Sequence, residues 1–285
     1  MRNVKRILVP TDFSAIALNA LHYAIWLAGT WKADIHLLHV DSEDDAPNRA
    51  SSSSTQLSKK RGRIPPEQQM NAVIDSVKSR ATTKGAVDNL PIITSEIKSG
   101  TPSLQIEIVV EQMTIDLIIM GIGSTNKETD YKREMVRLNT LKKASCPILL
   151  IPEKLIDPKI QTIAYATGLN EADPLYIWRI EKLFKPFNPT MHIVHILKDK
   201  DEELTLTMRE LEEFLTDQRA DVSTIFHTIS SKSRTKALMK FEKERDVDLM
   251  VMSKPHRGFF AGLFHTSVSK QMVYNIIVPL LILKQ

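Results

Sequence analysis

The sequence predicts an α/β protein made of two tandem, doubly wound units, and three observations carry that prediction. Short all-apolar runs such as LLILK alternate with segments of helical spacing, the pattern of a parallel sheet covered by helices. The chain also matches itself: ILVPTDFS (7–14) aligns with IAYATGLN (163–170), and IHLLHV (35–40) with MHIVHI (191–196), both at a shift of 156. Further on, DLIIM (116–120) aligns with DLMVM (248–252), and CPILLI (146–151) with VPLLIL (278–283), both at a shift of 132. Two independent pairs agree on each shift, so the repeat is a duplicated domain rather than a solenoid unit.

In the first half, strands are expected near 5–10, 34–40, 91–97, 115–120 and 147–151, and helices near 14–30, 66–84, 101–113 and 132–144. Leu18, Leu21, Ile25 and Ala28 recur at helical spacing, as do Leu204, Met208, Leu211 and Leu215 in a helix expected over 201–219. Each half therefore reads as a Rossmann-like, five-stranded and mainly parallel sheet flanked by helices. The change of shift from 156 to 132 gives the first half 24 extra residues. They are placed in 41–68, a serine-rich, basic and proline-containing stretch that reads as a mobile loop. The domains are set at 1–152 and 161–285, with 153–160 as linker.

Length and composition bound the function. The chain has 285 residues, 42% apolar and 25% charged, with a net charge of +4 that is interspersed with acids. That mildly favours anionic ligands and argues against a nucleic-acid partner. No apolar run approaches the ~20 residues needed to span a bilayer, so no membrane partner is expected. One cysteine, Cys146, excludes an intrachain disulfide framework and suits a reducing cytoplasm. It reads as buried and inert, and the histidines His39 and His195 as core or rim residues. Trp26, Trp31 and Trp178, on or beside the first helix of each half, read as packing residues. With no general base, metal-ligand set or positioned nucleophile in view, no catalytic residue and no metal site are assigned.

In a doubly wound sheet, ligands sit beyond the carboxyl ends of the strands. That puts Pro10, Thr11 and Asp12, then Val40, then Gly121, Gly123 and Ser124 on one rim. The segment DLIIMGIGST, a buried strand opening into glycines and hydroxyls, is a plausible phosphate loop. Each of these residues also has a plain structural role: Asp12 and Ser14 as helix caps, the glycines as turn residues.

Together ILVPTDFSAIALNALHYA, LLHV, DLIIMG and CPILLIP, with YATGLNEAD opening the second unit, resemble the universal stress protein family in a tandem, two-domain form. The resemblance covers nearly the whole chain. It implies an adenine nucleotide, ATP or AMP, on the rim: an aspartate after the first strand for the adenosine part, a residue at the end of the second strand lining the adenine pocket, and a G-x2-G-x9-G-[S/T] loop for the phosphates. Carried over, Asp12, Val40 and Gly121 match, whereas Ser124, Glu134 and Met135 stand at the second glycine, the third glycine and the hydroxyl position. In the second half the aspartate position is Gly168, and Ser253, His256 and Thr266 stand at the glycines, while Ser267, followed by Val268, keeps the hydroxyl. Thr266, Ser267 and Val268 are thus candidates for holding a small anion. The apolar cluster GFFAGLFH (258–265) is expected to fill vacated space or form a contact surface.

The resemblance further implies that the closing strands PILLI and PLLIL pair, making an intramolecular, pseudo-two-fold pair of domains, with a further homodimer open. The function read from the sequence is a stress-response binding or regulatory protein with a degenerate adenine-nucleotide site and an unknown protein partner. Two alternatives stand beside it: a working ATP/AMP-binding protein with slow ATP hydrolysis, and an interaction scaffold with both pockets filled.

Overall fold

The computed structural model describes residues 4–41, 64–84, 90–123, 128–155, 157–197, 207–217, 223–253 and 277–284. By internal contacts the chain divides into two compact units, one of Lys5–Gly121 with Thr125–Cys146, the other of Pro147–Gln285 with Met1–Val4 and Ile122–Ser124.

In the first unit the elements run β1 (Arg6–Thr11), α1 (Ala15–Trp31), β2 (Asp34–Asp41), α2 (Pro66–Lys84), β3 (Ile93–Ser99), α3 (Pro102–Gln112), β4 (Leu117–Ile122) and α4 (Glu128–Lys143). The strand order is β3-β2-β1-β4, and these pairings are parallel. Ile7, Leu8 and Val9 in β1, and Leu117 to Ile119 in β4, are buried without alternation, because helices cover both faces of the sheet. β3, at the edge, instead mixes exposed and half-buried positions. The loop expected over 41–68 is shorter at both ends. Asp41 completes β2, and residues 66–68 form the first turn of α2, where Pro66 costs nothing because the first helical N–H has no partner to lose. The remainder of that stretch, 42–63, with its basic cluster, lies outside the described residues.

The second unit contains β5 (Ile148–Pro152), β6 (Thr162–Thr167), α5 (Asp173–Phe184), β7 (Thr190–Leu197), α6 (Met208–Asp217), β8 (Thr224–Ser230), α7 (Arg234–Glu244), β9 (Leu249–Ser253) and β10 (Leu280–Leu283), in strand order β5-β10-β9-β6-β7-β8. The two closing apolar strands pair with each other: β5 runs antiparallel to β10 with Leu150 opposite Leu280 and Ile148 opposite Ile282. Their ladder places β5 among the contacts of this unit, so the compact division falls before Pro147. Both strands are buried throughout, which covers edges that would otherwise invite aggregation.

The repeat is visible in the hydrogen bonds. Asp116 Oδ2 accepts from the backbone amides of Lys5 (2.8 Å) and Arg6 (3.0 Å), fastening the start of β1 to β4. Asp248 Oδ2 does the same for Gln161 (2.8 Å) and Thr162 (3.1 Å) at the start of β6, and its Oδ1 also takes Lys159 Nζ at 2.7 Å. The aspartate opening DLIIM and DLMVM is therefore a strand staple.

Cys146 is buried. Trp178, in contrast to the packing role expected of it, is 48% exposed, with the Lys182 ammonium 5.0 Å from its ring centre. It stands about 100° around α5 from Ile177, which lies on the buried stripe with Ile180 and Phe184. Among the described residues no helix is long and apolar enough to cross a membrane.

Candidate functional site

At the end of β1 the chain must turn sharply into α1. Phe13 takes a left-handed backbone (φ 62°), and its amide donates to Thr11 Oγ1 at 3.0 Å. Ser14 caps α1, its hydroxyl accepting from Ala17 N at 3.3 Å. Between them Asp12 is held from both sides. Its Oδ1 accepts from the Ser14 amide (3.0 Å) and hydroxyl (2.5 Å), and its Oδ2 pairs with Arg133 Nε on α4. Partial burial works against ionisation, but the Ser14 hydrogen bonds and the Arg133 guanidinium outweigh it and hold the carboxyl below its ordinary range.

The same turn is buttressed from β2. His39 Nδ1 donates to the Thr11 carbonyl at 2.8 Å, and the Phe13 ring lies 4.4 Å from the imidazole. Since a carbonyl only accepts, Nδ1 carries the proton in this contact. Pro10 and Val40 are half-buried beside this turn and Thr11 is buried, so Asp12 is the exposed polar group among them.

Gly121, in β4, has a packing reason to be glycine. A Cβ there would lie 2.5 Å from the Ile16 carbonyl oxygen in the first turn of α1 and 2.6 Å from Ile16 Cγ2. Gly123 is half-buried, and Ser124 lies outside the described residues. The two residues expected to spoil the phosphate loop behave differently from each other. Glu134 is buried in α4, whereas Met135 is 39% exposed. The charged group that α4 brings to Asp12 is the preceding residue, Arg133. Sequence reasoning missed it, because the pair is separated by 121 positions.

The second half rebuilds the same corner. Leu169 repeats the left-handed turn (φ 54°), its amide donating to Thr167 Oγ1 at 2.9 Å, and His195 Nδ1 meets the Thr167 carbonyl at 3.2 Å. Gly168 occupies the aspartate position, and a different carboxyl fills the corner. Asp173 is wholly buried, accepting from Tyr165 Oη (2.5 Å), Thr167 Oγ1, and the amide (2.9 Å) and side-chain nitrogen (3.0 Å) of Asn170. Burial, and then the adjoining Asp173, push the Tyr165 hydroxyl well above its ordinary range, and Ser253 hydrogen-bonds that hydroxyl.

Tyr165, Asp173 and Ser253 occupy the positions of Val9, Ala17 and Gly121 in the first half, so three small or apolar groups have become one polar network. The helix responds. α1 starts at Ala15 and α5 at Asp173, two residues later in the repeat. The candidates Thr266, Ser267 and Val268, with the GFFAGLFH cluster, lie outside the described residues. Among the described residues no group of three or more His, Cys, Asp or Glu could hold a metal ion.

Comparison with known proteins follows the repeat. The model of the universal stress protein family matches residues 3–152 and again 160–284. Among solved structures, a universal stress protein from Archaeoglobus fulgidus is similar at 17% identity and a TM-score of 0.68, over 98% of this chain and 96% of that one. A putative universal stress protein from Pseudomonas aeruginosa is similar at 15% identity and a TM-score of 0.61, over 99% of this chain and 93% of that one. At these identities the likeness is one of fold. No curated protein matches the sequence significantly.

Proposed function

The chain belongs to the universal stress protein family, in tandem form, and from that premise we propose that it is a stress-response binding protein whose first half takes an adenine nucleotide, with Asp12 on the adenosine side. The observation that supports this most is the state of Asp12. It is an ionised, solvent-reaching carboxylate at the carboxyl end of β1, braced by Ser14 on one oxygen and paired on the other with a side chain that can leave. Such a group suits a ribose, whose hydroxyls donate in pairs. Pro10, Thr11, Val40, Gly121, Gly123 and Ser124 are the proposed companions of Asp12, with ATP or AMP as the ligand class. In the second half, Thr266, Ser267 and Val268 are the proposed holders of a small anion. No catalytic step is assigned, and the single cysteine is in keeping with a reducing cytoplasm.

A scaffold role is favoured for the second half by one observation: the corner equivalent to that of Asp12 is taken up there by the buried Tyr165–Asp173–Thr167 network. Titration calorimetry with ATP, ADP and AMP, with and without magnesium, tests both. Binding at one nucleotide per chain, lost in Asp12→Ala, is the expected result. Absence of heat with every nucleotide would overturn the nucleotide reading in favour of the scaffold.

A further inference from the structure

The first half lacks the glycine and hydroxyl that the family pattern uses to close on phosphate, since Glu134 and Met135 stand there. The same stretch of α4 nevertheless delivers a cation to the rim. We propose that Arg133 is the phosphate-recognising residue of the first half, held on Asp12 in the ligand-free chain and transferred to the nucleotide phosphate when the ribose takes Asp12. This rests on the nucleotide reading above and adds to it the residue that decides between nucleoside and nucleotide.

Four observations carry the inference. Arg133 Nε lies on Asp12 Oδ2, so the guanidinium stands directly over the group assigned to the sugar. Both partners are more than a third exposed (37% and 39%), so the pair is screened by water and weak enough to open. Asp12 Oδ1 stays fixed by Ser14 whether or not Arg133 remains, so the carboxylate keeps its position through the exchange. The neighbouring carboxylate is not a competitor at the surface, because Glu134 is buried. A guanidinium matches a phosphate through two parallel N–H bonds, a geometry that a lysine cannot reproduce. In the ligand-free chain the exchange partner is one carboxylate, and in the complex it is a more highly charged phosphate.

The test measures adenosine and AMP binding by calorimetry in the wild type, Arg133→Gln and Arg133→Lys, with thermal unfolding to confirm that each variant folds. In the wild type AMP binds more tightly than adenosine, and the preference weakens as salt is raised. Arg133→Gln lowers AMP affinity by about 10- to 100-fold, the range expected for charge-assisted bonds. The same variant tightens adenosine binding, because Asp12 Oδ2 no longer has to be vacated. Arg133→Lys falls between. A merely structural Arg133 would weaken both ligands together. If both ligands bind the wild type and Arg133→Gln leaves their ratio unchanged, the inference is overturned while the nucleotide site stands. If neither ligand binds the wild type, the nucleotide reading itself fails and this inference with it.

Discussion

Replacing Gly121 by alanine tests whether this glycine serves packing before it serves any ligand. The added Cβ would stand 2.5 Å from the Ile16 carbonyl oxygen, against ordinary contact beginning near 3.4 Å, so the start of α1 must retreat by about 0.9 Å. The obstacle is backbone, which no rotamer change relieves. It also belongs to the helix that buries Ala17, Ala20, Leu21 and Ala24 against the sheet. Overpacking of this kind costs about 2–3 kcal/mol. A stiffer unfolded chain returns about 0.5–1 kcal/mol, leaving a net loss of about 1–2.5 kcal/mol. That corresponds to a melting temperature lower by about 2–10 °C, read by circular dichroism or calorimetry on the full chain. Gly168→Ala is the control. Its nearest neighbour would be Asn170 Nδ2 at 3.7 Å, ordinary contact, so it should change stability by less than about 0.5 kcal/mol. An unchanged melting temperature in Gly121→Ala, or an equal loss in both variants, would refute the packing argument.

Other expectations concern the two strand-stapling aspartates and a buried glutamate. Asp248→Ala leaves the amides of Gln161 and Thr162 without their acceptor and should cost about 3 kcal/mol, measured by urea unfolding. Asp116→Ala, whose hydrogen bonds are exposed, should cost clearly less, because water can replace the lost acceptor. Glu242, buried in α7 and accepting from the amides of Ile277 and Val278, has its pKa raised from 4.5 to about 7, chiefly by burial. The folded chain therefore holds this proton more tightly than the unfolded one. The contribution is fully present below pH 4.5, declines as pH rises, and is gone above about 7. From this group alone the protein should be on the order of 3 kcal/mol less stable at pH 8 than at pH 4.5. Glu242→Gln should flatten that slope in denaturant titrations at stepped pH. A slope that persists unchanged would assign it to other groups.

Much of the architecture was legible in the chain because it is written in local spacing. Apolar runs bounded by turn residues fixed the strands to within one or two residues, and the two shifts of 156 and 132 reappear as matched hydrogen bonds, Asp116 with Asp248 and Thr11 with Thr167. Asp12 was legible as a rim residue because it directly follows a strand that had to end there. Gly121 was legible as a rim residue too, but the reason it is glycine was not, since Ile16 lies more than a hundred positions away. Trp178 was misplaced because helical spacing alone does not say where the buried stripe ends.

By itself, then, the sequence determined the duplicated α/β plan and the strand ends that carry Asp12 and Gly121, since both follow from periodicity and from self-alignment. Tertiary structure alone decided which charge stands over Asp12. Arg133 and Glu134 are adjacent in the chain, yet the turn of the helix between them sends one to Asp12 and buries the other. It also decided that Asp173, unremarkable in the sequence, closes the corner of the second half, because a carboxyl can be buried only where several donors converge on it.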